Sequence, residues 1–277
     1  MSVRRDRTRG TMTTKPFKVA LRSDTAPALG LWLGLGEAVT AEICAGAGFD
    51  WVLIDSEHGP NDLRSVADQL RAVAADAVEP IVRPPSTDAV DIKRLLDIGV
   101  RTLLLPMVES GSAARGAVAA TRYPPFGYRG VGSALARASR WNRDVDYLEN
   151  SADGITLIAQ IETPGAVANI GDIAGTAGID AVFVGLSDLA ATSGHLGQPL
   201  HPQVQEAFRF VVDECTRIGV PVGTLAGSDA VADLAIGLGC RFVAIGTDVA
   251  VLVRGCETLL ERYRVPKATR GVEVSVY

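Results

Sequence analysis

Lysine is scarce: only Lys15, Lys18, Lys93 and Lys267 occur among 277 residues, and none closes a short apolar run of the kind that forms a strand. Carbonyl chemistry through a lysine Schiff base is therefore not expected, because that route needs an amine at the reacting centre. Cysteine is sparse as well. Cys44, Cys215, Cys240 and Cys256 lie far apart with no CxxC pair, so buried free thiols in a reducing cytoplasm are expected rather than a disulfide framework. No apolar run approaches the roughly 20 residues that span a bilayer. A net charge of -5 argues against a nucleic-acid partner, which calls for a clustered basic face. The one basic cluster, Arg4, Arg5, Arg7, Arg9, Lys15 and Lys18, has no apolar h-region. It reads as a flexible extension over residues 1–24, not a secretory signal, and Met12 is a second candidate start.

What is abundant is apolar: 47% of the residues, broken up by 29 glycines and 14 prolines. Short β-branched or Leu-rich runs recur at 29–33, 51–54, 81–83, 102–105, 155–161, 181–184, 220–225 and 241–245. Helical periodicity fills the gaps. Leu63, Val66, Ala67, Leu70, Val73 and Ala74 follow i, i+3, i+4, i+7 spacing, as do Val204, Ala207, Phe208, Val211, Val212, Cys215 and Ile218. Apolar strands alternating with amphipathic helices predict parallel strands covered by helices. Eight such units match the usual size of about 250 residues for a (β/α)8 TIM barrel of the α/β class. The catalytic barrel is placed at 25–264, with 265–277 as a tail. The connection after the fourth strand, 107–154, is the longest and is rich in Gly, Arg and aromatics; long ordered loops are usually functional.

Barrel chemistry sits at the C-terminal ends of strands. The second strand ends in Asp55, Glu57 and His58, the third in Arg83, the fifth in Gln160 and Glu162, and the sixth in Gly185, Leu186, Ser187 and Asp188. Glu162 and Asp188 are one βα repeat apart and would stand side by side as a hard oxygen site for a divalent cation; Asp188 could equally cap the helix it opens. His58 could move protons near neutrality or simply enter a helix. Arg83 could bind a carboxylate or developing oxyanion or serve a structural ion pair. In "EHGPND", Asn61 or Asp62 is the expected cap of the next helix.

The stretches "GLWLGL", "AGAGFDWVLIDSEHGPND", "IKRLLDIGVRTLLLPMV", "ATRYPPFGYRGVGSALARASRWN", "QIET", "GIDAVFVGLSDLA" and "FVAIGTD" together resemble the HpcH/HpaI family of class II, metal-dependent pyruvate aldolases, over about residues 28 to 262. The resemblance implies retro-aldol cleavage of 4-hydroxy-2-oxo acids, such as 4-hydroxy-2-oxoheptanedioate, to pyruvate and an aldehyde. It implies Mg2+, Mn2+ or Co2+ on Glu162 and Asp188, and Arg83 and Gln160 on the pyruvate portion. His58 would be the base, paired with Asp97 of a neighbouring subunit. Asp55 would support the site, Trp32 would line it, and backbone at Gly185, Leu186 and Ser187 would hold the substrate carboxylate. A homo-oligomer follows, a hexamer built as a trimer of dimers with an exchanged C-terminal helix. Leu186 departs from the proline usual there, Ser56 from glycine and Gly59 from alanine, and the first bears on substrate preference. Two other readings stay open: a related acyl-CoA lyase of malyl or citramalyl type, and a catalytically silent oligomeric binding barrel.

Overall fold

The structure, a computed structural model, describes residues 16–23 and 26–264. Eight parallel strands close in sequence order into a barrel: β1 Ala28–Leu33, β2 Trp51–Asp55, β3 Glu79–Arg83, β4 Thr102–Leu105, β5 Thr156–Ile161, β6 Ala181–Val184, β7 Val222–Leu225 and β8 Phe242–Thr247. The first pairs with the last through an irregularity between Gly30 and Trp32. Every predicted strand is present. Ahead of β1 lies α1 Phe17–Ser23, and the covering helices are α2 Ala38–Ala45, α3 Leu63–Ala72, α4 Ala89–Asp97, α5 Gly111–Thr121, α6 Tyr147–Asn150, α7 Pro164–Ala168, α8 Ile170–Ala174, α9 Leu186–Thr192, α10 Pro202–Ile218, α11 Asp229–Gly237 and α12 Asp248–Arg264. Among the described residues no helix is long and apolar enough to cross a membrane.

Successive side chains on a strand point to opposite faces, and here both faces are buried. One set, including Leu33, Val52, Ile54, Val82, Leu103, Leu157 and Val182, packs against the helices. The other, including Trp32, Trp51, Leu53, Ile81, Leu104, Ile158, Phe183 and Phe242, fills the lumen. Glycine is required where two rings cross it: a Cβ on Gly30 would overlap the Trp51 indole, and one on Gly223 the Phe242 ring. The period of two continues upward from the packed lumen. Trp51 and Leu53 lead to Asp55, Ile81 leads to Arg83, and Ile158 leads to Gln160, so three polar side chains reach the C-terminal mouth while staying buried.

Two expectations need correction. The extension read as flexible over 1–24 contains α1, whose Phe17 and Leu21 are buried in the lumen cluster. Phe17 meets Phe242 edge-on with centroids 6.0 Å apart, and Lys18 donates to the Thr156 hydroxyl at 3.3 Å and, from Nζ, to the Ile155 carbonyl at 2.9 Å. Apolar residues four apart give α1 one buried face that plugs the N-terminal end of the barrel. Residues 1–15 and the tail at 265–277 lie outside the described residues. Second, of the four cysteines only Cys215 and Cys240 are buried; Cys44 is half-buried and Cys256 is exposed on α12, all free. The long connection after β4 does not lie over the barrel mouth. After α5 has run back down the barrel, residues 122–154 pack at the N-terminal end against the α4–β4 junction: the Ala138 N–H donates to the Asp97 carbonyl at 3.1 Å and Arg137 to the Ile98 carbonyl at 3.1 Å.

Candidate active site

At the mouth, β2 and β3 pair in register with Asp55 opposite Arg83. Arg83 donates from Nε and NH2 to the two Asp55 oxygens at 2.8 and 2.6 Å, the fork geometry that arginine alone supplies. Its NH1 lies 2.7 Å from Glu57 Oε2, and the guanidinium sits 4.8 Å above the Trp32 ring. Trp32 in turn donates its indole N–H to Asp55 at 3.0 Å. Burial alone would raise the Asp55 carboxyl, but the Arg83 hydrogen bonds and charge, with Trp32 and the Glu57 N–H, hold it below the usual range. Arg83 is thus a cation locked by two carboxylates and an indole face. The structural ion pair weighed from the sequence is real, and it leaves the same guanidinium at the mouth with further N–H groups to offer. Glu57, for which the sequence suggested no role, is one of its two anchors.

Across the mouth, Glu162 follows β5 and is buried. Its Oε1 accepts from the Met107 N–H at 2.7 Å and its Oε2 from Gln160 Nε2 at 2.6 Å. Met107 has φ of 50°, a left-handed backbone uncommon outside glycine and often retained where function needs it; it turns the chain after β4 so that the N–H meets Glu162. Asp188 stands in the first turn of α9. It makes no cap: the cap residue is Gly185, without a side-chain hydrogen bond. Burial pushes the Glu162 carboxyl up, and Asp188 and Glu57 add to that against the hydrogen bonds from Met107 and Gln160. Burial likewise raises Glu57, with Arg83 and His58 opposing and Asp55 and Asp188 adding.

The charges of Asp188 and Glu57 both raise the Glu162 carboxyl, a repulsion that a cation would relieve. Gln160 Oε1 is buried without a hydrogen-bond partner, and such an orphaned acceptor asks for a ligand. A Cβ on Gly185 would lie 3.0 Å from both Gln160 Nε2 and Glu162 Oε2, so glycine keeps that corner open. The donors are hard oxygens, suited to Mg2+ or Mn2+. Among the described residues no group of three or more His, Cys, Asp or Glu gathers to hold a metal ion.

The remaining predicted residues divide. Leu186 is buried at the start of α9, while Ser187 and Asp188 are exposed beside it. His58 is exposed at the mouth; its backbone N–H reaches Asp55 at 3.4 Å and its imidazole makes no hydrogen bond among the described residues. The helix entry nearby is capped by Asp62, which accepts from Arg64 and Ser65 N–H groups in a capping box, so His58 is not needed for it. Asp97 is not at this mouth. It ends α4, which runs antiparallel to the strands, so it lies at the N-terminal end of the barrel, where Arg129 NH2 donates to it at 2.8 Å. Sequence reading missed Met107 and Arg129; the only signals were a residue after Pro106 and one arginine in an arginine-rich stretch.

A family model described as HpcH/HpaI aldolase/citrate lyase matches residues 28–255. The chain is similar to the 4-hydroxy-2-oxo-heptane-1,7-dioate aldolase of Salmonella newport strain SL254, 49% identical over 255 residues, covering 92% of this chain and 97% of that one. Among solved structures it is similar to an HpcH/HpaI aldolase/citrate lyase family protein from Burkholderia cenocepacia J2315, with 41% identity, TM-score 0.88 and coverage of 91% and 100% of the two chains. An HpcH/HpaI aldolase from Desulfitobacterium hafniense DCB-2 has 30% identity and TM-score 0.79, with coverage of 87% and 95%.

Proposed function

The chain belongs to the HpcH/HpaI aldolase/citrate lyase family, whose members are enzymes, and on that premise we propose that it is a divalent-metal-dependent aldolase. It reversibly cleaves 4-hydroxy-2-oxo acids, 4-hydroxy-2-oxoheptanedioate among them, to pyruvate and an aldehyde. The observation that carries the reading is Gln160 Oε1, buried and unpartnered beside Glu162 and the open corner at Gly185.

Glu162 and Asp188 would hold the cation, which when bound withdraws electron density from the 2-oxo group. Arg83, fixed by Asp55 and Glu57, presents N–H groups to the same oxygen as it gains charge, at a site whose donors need no rearrangement. Backbone at Gly185, Leu186 and Ser187 binds the substrate carboxylate, and Trp32 closes the wall behind Arg83. His58 takes the C4 hydroxyl proton; the C3–C4 bond breaks, its electron pair passes into the pyruvate enolate, and the aldehyde leaves. A proton returned to C3 completes pyruvate.

His58 is assisted by Asp97 of a second copy, because the two lie at opposite ends of one barrel. The assembly is a homo-oligomer, a hexamer in this reading, with α12 exchanged between copies. Supporting it, α12 exposes Val251, Leu252, Val253, Leu259 and Leu260 along its length, a larger apolar surface than a monomer usually shows to water.

The experiment mixes purified protein with a 4-hydroxy-2-oxo acid and follows pyruvate before EDTA, after EDTA, and after Mn2+ is restored. Release that stops and returns is expected. Turnover indifferent to EDTA would overturn the metal-dependent mechanism.

A further inference from the structure

We infer that Arg129 is a positioning residue for the reaction, holding Asp97 in the orientation in which one copy offers it to the next. This rests on the Asp97 reading above.

Arg129 is an unusual residue to find where it is. Its side chain is fully enclosed while its partner Asp97 is 29% exposed. NH2 donates to Asp97 Oδ1 at 2.8 Å and to the Tyr147 hydroxyl at 3.1 Å. The guanidinium lies 4.7 Å from the Tyr123 ring centroid and 5.8 Å from that of Tyr147. Nε, NH1 and the Tyr123 hydroxyl have no hydrogen-bond partner. Burial pushes the Tyr123 phenol up to about 12, so it stays neutral beside the cation.

This arrangement does little for stability. A buried ion pair is roughly neutral against an apolar replacement, and each buried donor left unmade is a cost. What it does supply is orientation. Two aromatic faces hold the guanidinium, and a single N–H pins one oxygen of Asp97. The other, Oδ2, makes no hydrogen bond among the described residues and has Gly132 beside it, where even a Cβ would stand 4.0 Å away. The Ala138 N–H on the Asp97 carbonyl and Arg137 on the next carbonyl fix the backbone of the same helix end. The segment 122–141 is therefore folded around one carboxylate and leaves its second oxygen open to a group from outside the chain.

The test uses hybrid oligomers. R129M and H58A chains carrying different tags are co-expressed, hybrids are isolated through both tags, and pyruvate release is compared with each parent assembly; D97N with H58A is run in parallel. R129M alone is expected to lower kcat about 10- to 100-fold with KM little changed, and R129K to recover part of the loss. The R129M/H58A hybrid is expected to exceed both parents, because some of its sites unite His58 from one chain with an intact Arg129–Asp97 pair from the other. Recovery in the D97N/H58A hybrid without recovery in the R129M/H58A hybrid would overturn the role of Arg129 and leave the shared site standing; recovery in neither would remove the shared site and this inference with it. Sedimentation and melting curves of each variant supply a readout independent of turnover. An R129M assembly that melts lower but turns over normally would make Arg129 a brace and end the proposal. Should R129M not fold, Tyr147→Phe, which removes one partner of NH2, is expected to lower kcat about threefold, and an unchanged kcat would count against the inference.

Discussion

At the scale of single residues, the mouth of the barrel depends on close approaches that a side chain of the wrong size would spoil. Gly185→Ala adds a methyl 3.0 Å from Gln160 Nε2 and Glu162 Oε2. It is expected to weaken Mn2+ binding in calorimetry and to lower pyruvate release about tenfold, with the melting temperature nearly unchanged. Asp55→Asn would leave Arg83 with Glu57 as its only anionic anchor. Breaking a buried pair in this way costs about 3–5 kcal/mol, to be read from urea midpoints. The pH dependence has a definite sign. Asp55 is held below its ordinary value of 3.8, so its contribution is present above that value and is lost as pH falls through the lower folded value. The stability difference between wild type and variant should be flat above about pH 5 and shrink below about pH 4; a difference constant to pH 2 would refute the pairing as its cause.

At the scale of elements, strands were readable and loops were not. Each predicted apolar run became a strand because a parallel barrel buries both strand faces, which makes sequence hydrophobicity nearly sufficient. The same rule hid α1: "FKVALRS" sits after a basic stretch, and nothing local says that Phe17 and Leu21 will find a lumen to plug. Phe17→Ala is expected to cost about 3–5 kcal/mol, visible as a lower melting temperature. The long connection after β4 shows the converse. Its composition announced a function, but its position depended on α5 carrying the chain to the far end of the barrel before the aromatic and arginine residues begin.

At the scale of the whole molecule, His58 and Asp97 lie at opposite ends of the barrel and α12 exposes apolar side chains, so the proposed shared site calls for a second copy. Leu252→Asp combined with Leu259→Asp is expected to yield smaller species by sedimentation and to abolish most pyruvate release; an unchanged assembly would exclude α12 from the contact. The order of apolar runs and turns determined the barrel, and the period of two along β2, β3 and β5 determined that Asp55, Arg83 and Gln160 would reach its mouth, because both follow from local geometry. Tertiary structure alone decided that Arg83 would be shared by Asp55 and Glu57, that a left-handed Met107 would serve Glu162, and that Arg129 would be buried on Asp97. Those are meetings between residues distant in the chain or set by a single backbone angle, and their energies arise only once the closed barrel has removed them from water.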